Sequence, residues 1–167
     1  MMASLQLSED EITLAKKNQS RYASVDAAQL LRDCFESGAQ EFRRRSIDAR
    51  VDPAGLPANV KVDRDLLGYV LHSIVINASE ATAPGGRVTG EVRTRNGRVE
   101  IRTVDTGCGI EPEHLPRLFS PFFTTKPRAL GIGLTFSRLA VERFGGTIRA
   151  ESVVGIGTAM VIELPGV

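Results

Sequence analysis

One acidic residue in this sequence is placed where a carboxylate could bind a ligand. Asp105 ends a run in which residue character alternates, and Gly107 and Gly109 follow it at once. The alternation predicts a strand with Asp105 on its inward face, where an unpaired carboxylate is costly to bury. The two glycines would let a ligand or another backbone segment come close, because they carry no side chain. The pattern therefore predicts either a ligand-binding strand end or a hairpin turn with a solvated Asp.

Two further groups of residues have types and spacings that suit ligand binding. Asn77 lies seven residues after Val70 and three after Ile74, so it points into the apolar stripe of a predicted helix rather than to water. Gly131 and Gly133 precede another predicted helix, whose free N–H groups and dipole would favour a phosphate. Each group also has an interpretation without a ligand. Asn77 could hydrogen-bond to backbone in the core, and the two glycines could simply precede the helix.

Three predicted helices would position these residues. Apolar residues at helical spacing predict one helix from Asp26 to about Phe42 and a longer one from Asp63 to about Thr82. A third helix, of about ten residues, would end at a Gly145-Gly146 C-cap.

Alternating residues predict the strands. They are residues 47–51, a hairpin of 87–95 and 98–104 around an Asn96-Gly97 type I′ turn, and two strands at about 147–152 and 157–164. The alternation in the hairpin indicates one buried face and one wet face. The sum predicts an α+β fold, a two-layer α/β sandwich whose mixed, mostly antiparallel sheet carries helices on one face.

Three stretches have no regular element in this prediction. Residues 1–24 are polar and are interpreted as a linker in front of a domain that spans residues 25–167. Residues 53–57 form a turn-rich connection. Residues 111–132 form a long connection with three Phe residues, and such a length is unusual in a compact domain unless the connection is functional.

The composition limits the classes of function. The chain has 167 residues, is 42% hydrophobic and 25% charged, and carries a formal net charge of +1. Nothing in that balance indicates nucleic-acid binding, and no polybasic or long apolar run indicates membrane contact. Cys34 and Cys108 lack a paired spacing, which favours two free thiols in a reducing compartment over a disulfide framework or a zinc site.

Five short motifs occur in one order along the chain. They are Asn77 in an Asn-Ala-x-Glu-Ala context, Asp105-x-Gly-x-Gly, Pro121-Phe-Phe-Thr-Thr-Lys126, Gly131-x-Gly-Leu134 and Gly155-x-Gly-Thr158. Together they resemble the N, G1, F, G2 and G3 boxes of the ATP-binding domain of bacterial sensor histidine kinases. These kinases belong to the GHKL superfamily, with gyrase-type topoisomerases and heat-shock chaperones. The resemblance covers about residues 26–165, and the Phe-Phe-Thr-Thr-Lys run resembles the nitrogen-regulation-like branch.

The resemblance implies a fold, an activity and partners. It implies the Bergerat ATP-binding fold and a cytoplasmic catalytic domain that binds ATP with Mg²⁺ and donates the γ-phosphate to a histidine on a separate dimerisation domain. That histidine would pass the phosphoryl group to an Asp of a response regulator. The excised domain would be monomeric, and residues 1–24 would include the end of the dimerisation helix.

The resemblance also implies roles for individual residues. Asp105 would accept a hydrogen bond from the exocyclic amine of adenine, supported by Thr158, and Asn77 would ligate Mg²⁺. A charge-assisted bond of this kind is worth roughly 1.5–3 kcal/mol, and guanine would present an oxygen to the carboxylate instead. Gly131 and Gly133 would contact phosphates. The other candidate nucleotide contacts are Gly107, Gly109, Ile110, Phe119, Thr125, Lys126, Ile132 and Leu134.

The connecting segment 111–132 would act as a lid over the phosphates. Lys126 could reach the γ-phosphate, and a solvated surface lysine is the alternative. Phe119, Phe122 and Phe123 would dock the lid when nucleotide is present, or simply anchor a loop in the core.

Two positions depart from the family pattern. Ser73 stands one turn before Asn77, where the family commonly has a polar anchor such as Asn. Serine cannot serve as the general base that a gyrase-type ATPase uses, so hydrolysis by the domain alone should be slow. Ser73 and Lys126 remain the only candidates for a catalytic role, and neither is assigned one. Leu130 replaces a small residue, which leaves one phosphate contact open.

Neither histidine fits the phosphoacceptor motif of the family. His72 lies within the helix of Asn77, and His114 lies in a turn after the glycine loop. The sequence therefore predicts a catalytic domain whose acceptor is elsewhere. The rival hypotheses are a serine/threonine protein kinase of the anti-sigma type, which needs no acceptor histidine, and a pseudokinase module that only binds nucleotide or a protein.

Overall fold

A five-stranded sheet forms the platform of the domain. The structure is a computed structural model, and it describes residues 21–52, 57–121 and 133–167. The strands of this sheet are β2 (Asp48–Val51), β4 (Arg87–Arg95), β5 (Arg98–Asp105), β6 (Thr147–Val153) and β7 (Gly157–Pro165). Their order is β2-β4-β5-β7-β6, and only the β2–β4 pair is parallel.

Helices cover one face of this sheet. They are α1 (Ala27–Ser37), α2 (Ala39–Arg44), α3 (Arg64–Ala81) and α4 (Gly133–Arg143), with a 3₁₀ turn at Leu115–Arg117. The Asp26 and Asp63 side chains accept hydrogen bonds from the first free N–H groups of α1 and α3. Both predicted helix starts are therefore confirmed.

The core lies between the helices and the inward face of the sheet. Leu31 of α1 and Leu67 and Leu71 of α3 are almost fully buried, as are Val99 and Ile101 of β5. Every second residue of β5 is buried, ending at Asp105. The predicted two-layer sandwich with a mostly antiparallel sheet is confirmed.

The hairpin turn and the C-terminal end of α4 have the geometry that the sequence predicts. Asn96 and Gly97 both have positive φ, at 52° and 73°, as a type I′ turn requires. At the end of α4, the N–H of Gly145 bonds to Glu142 and that of Gly146 to Val141, which is a Schellman C-cap.

The predicted helix from Asp26 to about Phe42 is wrong as a single element. It divides at Gly38 into α1 and α2. The break turns α2 so that the Phe42 ring lies 5.8 Å from the Phe35 ring, centroid to centroid. A Cβ at Gly38 would lie 3.2 Å from the Phe42 ring, so a glycine suits this corner.

The sequence did not predict a second, two-stranded sheet. β1 (Tyr22–Asp26) pairs antiparallel with β3 (Asn59–Asp63). Residues 22–24 were interpreted as part of a linker and the next two as a helix start. Both strands are short, and each ends on the Asp that caps the following helix. The linker residues 1–20 and most of the predicted 53–57 connection, residues 53–56, lie outside the described residues.

The face of the sheet opposite the helices carries a set of six charged side chains, named here the charge lattice. It consists of Arg98, Glu100, Arg102, Arg149, Glu151 and Glu163, which are joined by ion pairs 3.0–3.8 Å long. Val161 lies between Arg102 and Arg149 in the strand register and is fully buried although it is on this face. The long arginine stems therefore shield it from water.

Among the helices that the structure describes, none combines the length and the apolar character that a bilayer span requires.

Candidate functional site

Asp105 lies at the last position of β5 and is 6% exposed. Its Oδ1 accepts hydrogen bonds from the backbone N–H of Gly107, at 2.8 Å, and from that of Thr158, at 3.3 Å. No described residue donates to the other oxygen, Oδ2. Burial raises the pKa of this carboxyl, and the two backbone N–H groups oppose the rise. The carboxylate is thus held through one oxygen and offers the other as an acceptor.

The glycine loop after Asp105 is clamped between two backbone segments. A Cβ at Gly107 would lie 2.4 Å from the carbonyl oxygen of Ala81, at the end of α3. Gly109 has a φ of +76°, and its Cβ would lie 2.4 Å from the carbonyl oxygen of Val153. The predicted close approach is therefore confirmed, and what approaches these glycines is protein backbone.

Gly157 makes an equally close contact with Asp105 itself. Its φ is +146°, and a Cβ there would lie 1.9 Å from the Asp105 carbonyl oxygen. Residue 157 must therefore be a glycine for β7 to begin beside the end of β5. The neighbouring Thr158 pairs with Asp105 across the strands and is buried.

Gly157→Ala is expected to lower the free energy of unfolding by more than about 2 kcal/mol, because it combines backbone strain with a clash against backbone. Gly155→Ala is the matched control. Gly155 also has a positive φ, but its Cβ would meet nothing within 4 Å, so only backbone strain of about 1 kcal/mol is expected. Urea denaturation measures both. Equal losses in the two variants would contradict the role of the Asp105 contact.

A row of residues along α3 connects the glycine loop with the start of α4. Ser73, Asn77 and Ala81 are four residues apart and lie on one face of the helix. A Cβ at Gly133 would lie 3.6 Å from Ser73 Oγ, and the N–H of Cys108 bonds to the Ala81 carbonyl. The eight residue steps from Ser73 to Ala81 correspond to a rise of about 12 Å along the helix. Ser73 and Asn77 are both half-buried.

The other predicted site residues fall into two groups. Ile110, Gly133, Leu134 and Phe119 are half-buried, and the Phe119 carbonyl accepts a hydrogen bond from Thr135 of α4 at 3.0 Å. This bond joins the described part of the predicted lid to α4. The remainder lie outside the described residues: Phe122, Phe123, Thr125, Lys126, Leu130, Gly131 and Ile132.

The structure adds Ser152, which the sequence did not single out. Its hydroxyl contacts the N–H of Ile110 at 2.8 Å, the carbonyl of Gly157 at 3.0 Å and the hydroxyl of Thr158 at 2.8 Å. Only the strand register could have revealed it, because Ser152 pairs with Thr158 and Thr158 pairs with Asp105. The three side chains therefore form a row across β5, β7 and β6.

Neither histidine belongs to the row formed by Asp105, Thr158 and Ser152. His72 is exposed on α3, and His114 is half-buried with its Nε2 3.6 Å from Glu113. Of the two free cysteines, Cys108 is exposed in the glycine loop and Cys34 is buried, which raises the pKa of its thiol to about 11.

Comparison with known families decides the class of the site. A family model described as "Histidine kinase-, DNA gyrase B-, and HSP90-like ATPase" matches residues 62–167, which include α3, Asp105, α4 and Thr158. The chain belongs to this ATPase family. The GHKL assignment made from the motifs is thereby confirmed.

Relatives of this ATPase domain are named sensor histidine kinases. Sensor histidine kinase ZraS of Klebsiella oxytoca is 32% identical over 155 residues, which are 92% of this chain and 34% of ZraS. Sporulation kinase D of Bacillus subtilis is 35% identical over 109 residues, 65% of this chain and 22% of the relative. The chain thus spans about a third or less of the length of these relatives.

Solved structures of the same ATPase family share the fold. The catalytic domain of histidine kinase ThkA superposes with a TM-score of 0.79 at 28% identity, covering 86% of this chain and 95% of that one. The mycobacterial sensor histidine kinase MprB gives 0.76 at 30% identity, with 87% and 97% covered. The chain therefore has the fold of a histidine kinase catalytic domain, as the sequence predicted.

Proposed function

We propose that the chain binds ATP with Mg²⁺ and donates the γ-phosphate to a histidine on a separate dimerisation domain. The open oxygen of Asp105, buried at the end of β5 and fixed through its partner oxygen, is the observation that carries this proposal. The same domain would act within a sensor kinase whose histidine later passes the phosphoryl group to a response regulator.

Asp105 suits the recognition of adenine. Its Oδ2 is an acceptor at the edge of a buried site, and the exocyclic amine of adenine is a donor. Burial raises the pKa of this carboxyl because the charged form loses hydration. A hydrogen bond from the adenine amine would replace part of that hydration and stabilise the carboxylate. Guanine carries an oxygen at the corresponding position, which the carboxylate would repel.

Asn77 suits a magnesium ion that is bound together with nucleotide. Its amide oxygen is neutral. Asn77 as a residue is half-buried, and it lies one helical turn after Ser73 on the same face of α3. Mg²⁺ prefers oxygen ligands and commonly takes one or two from protein and the rest from phosphates and water. When bound, the ion would neutralise phosphate charge, and Asn77 would hold it on the α3 side.

The start of α4 suits the phosphates. Gly133 is its first residue, next to Ser73, and free N–H groups at a helix N-terminus favour anions. We propose phosphate contacts for Gly131, Ile132, Thr125 and Lys126 from the motifs alone. The domain would work by positioning the nucleotide and neutralising charge, as phosphoryl transfer generally requires.

The partners and setting follow from the proposed reaction. They are a dimerisation and phosphoacceptor domain of the same kinase and a downstream response regulator. We also propose a cytoplasmic location and a monomeric state for the isolated domain. The similarity to ZraS-type relatives supports this setting. The Phe-Phe-Thr-Thr-Lys run further supports a place in the nitrogen-regulation-like branch.

The reaction is tested with a sensor-kinase dimerisation domain supplied separately. With labelled ATP and Mg²⁺, we expect phosphate on the histidine of that domain, stable in alkali and lost in acid, and none when that histidine is replaced. Label on a serine of a partner protein would instead indicate the anti-sigma type of kinase. ATP binding without transfer would indicate a pseudokinase that only binds nucleotide. Absence of ATP binding by calorimetry, with and without Mg²⁺, would indicate one that only binds a protein. Either result would overturn the proposal.

A further inference from the structure

The hydroxyl group of Ser152 has three hydrogen-bond partners, which together use its proton and both of its lone pairs. A serine hydroxyl has one proton to donate and two lone pairs. The Gly157 carbonyl can only accept, so it takes the proton of Ser152 at 3.0 Å. The N–H of Ile110 can only donate, so it occupies one lone pair at 2.8 Å. The second lone pair is left for Thr158.

This arrangement fixes the direction of the bond between Ser152 and Thr158. The two hydroxyl oxygens are 2.8 Å apart, which requires a proton between them. Ser152 has already given its proton to Gly157, so the proton in this bond comes from Thr158. The Thr158 oxygen is then left with lone pairs only.

Thr158 stands directly opposite Asp105 in the antiparallel pair of β5 and β7. Side chains of such a pair lie on the same face and within contact distance of one another. Asp105 offers Oδ2 as an acceptor, and Thr158, with its proton committed, offers Oγ1 as a second acceptor. At this end of the site, Asp105 and Thr158 therefore both present acceptors, and neither offers a hydroxyl proton.

We propose that Ser152 is a positioning residue for base specificity, which holds Thr158 as an acceptor beside Asp105 so that the site takes an amino-purine and rejects a 6-oxo-purine. This inference rests on the proposed binding of ATP. Ser152 does not need to touch the base. Without it, the Thr158 hydroxyl would be free to turn and donate to the oxygen of guanine.

The test is the ratio of ATP affinity to GTP affinity, measured by competition of each nucleotide against labelled ATP. Ser152→Ala is expected to lower that ratio about tenfold, the worth of one hydrogen bond. Loosening of the fold alone would weaken both nucleotides by the same factor and leave the ratio unchanged. Ser152→Thr, which keeps the hydroxyl and suits a strand, is expected to restore the ratio.

A double-variant cycle shows whether Ser152 acts through Thr158. Thr158→Val removes the second acceptor and should itself lower the ratio, and adding Ser152→Ala to it should change the ratio no further. If Ser152→Ala fails to fold, the comparison of Thr158→Ser with Thr158→Val still tests the acceptor, because only the former keeps a hydroxyl.

The possible outcomes separate the role of Ser152 from the proposed binding of ATP. An unchanged ratio in folded Ser152→Ala, or an equal further loss in the Thr158→Val background, overturns the role of Ser152 while ATP binding stands. If Ser152→Ala does not fold, equal ratios for Thr158→Ser and Thr158→Val overturn it. A wild-type chain that binds no ATP overturns the proposed function and this inference with it.

Discussion

Replacing Asp105 with Asn is expected to lower the affinity for ATP about a hundredfold or more while the fold is kept. Asn has the size of Asp, and its oxygen can still accept from the N–H groups of Gly107 and Thr158. The amide nitrogen then occupies the place of Oδ2 and presents a donor to the amine of adenine. Loss of a charge-assisted bond and the juxtaposition of two donors together exceed about 2.7 kcal/mol.

Calorimetric titration with ATP measures this loss, and thermal unfolding confirms that the variant is folded. Asp48→Asn is the matched control, since Asp48 is a half-buried residue on edge strand β2 whose carboxylate pairs with Arg50 and Arg87. It should bind ATP as the wild type does. Undiminished affinity in folded Asp105→Asn would remove the base-recognition role from this carboxylate.

Replacing Asn77 with Ala is expected to abolish the gain in ATP affinity that Mg²⁺ provides and to slow phosphotransfer about a thousandfold. The side chain would be a direct ligand of the ion, so its removal affects the step in which phosphate charge must be neutralised. Affinity for ATP in the presence of a chelator should change little, because Asp105 and the glycine loop are untouched. Titrations with and without Mg²⁺ and the phosphohistidine assay report the two effects.

His72→Ala is the control for changes to α3. His72 lies on the same helix but is exposed, five residues before Asn77. Its replacement should leave both the Mg²⁺ dependence and the transfer rate near wild-type values. A loss of metal-free ATP binding in Asn77→Ala, equal to the loss with Mg²⁺, would show that Asn77 supports the fold of the site rather than the ion.

The parts of the fold that the sequence predicts are those that local chemistry determines. Asp26 and Asp63 indicate helix starts because their side chains accept hydrogen bonds from the backbone N–H groups two and three residues later. Asn96-Gly97 specifies its hairpin because both residues tolerate positive φ. The pairing of β1 with β3 joins strands more than thirty residues apart in the chain, and no local pattern encodes it.

The candidate site divides in the same way. Asp105 was recognisable because alternation gave its face and the glycines after it indicated a close approach. Ser152 was not recognisable, because its importance depends on which residues stand opposite it in two neighbouring strands. The split at Gly38 escaped prediction for a related reason: the packing of Phe42 on Phe35 favours the corner, and the apolar spacing alone is compatible with an unbroken helix.

The charge lattice bears on how the domain meets other proteins. It contains three arginines and three glutamates, so its charges cancel over a small area. Beyond the screening length of about 8–10 Å at physiological salt, such a surface exerts little field and neither guides nor deters an approaching molecule. Electrostatic guidance of an approaching protein must therefore come from charges outside the charge lattice.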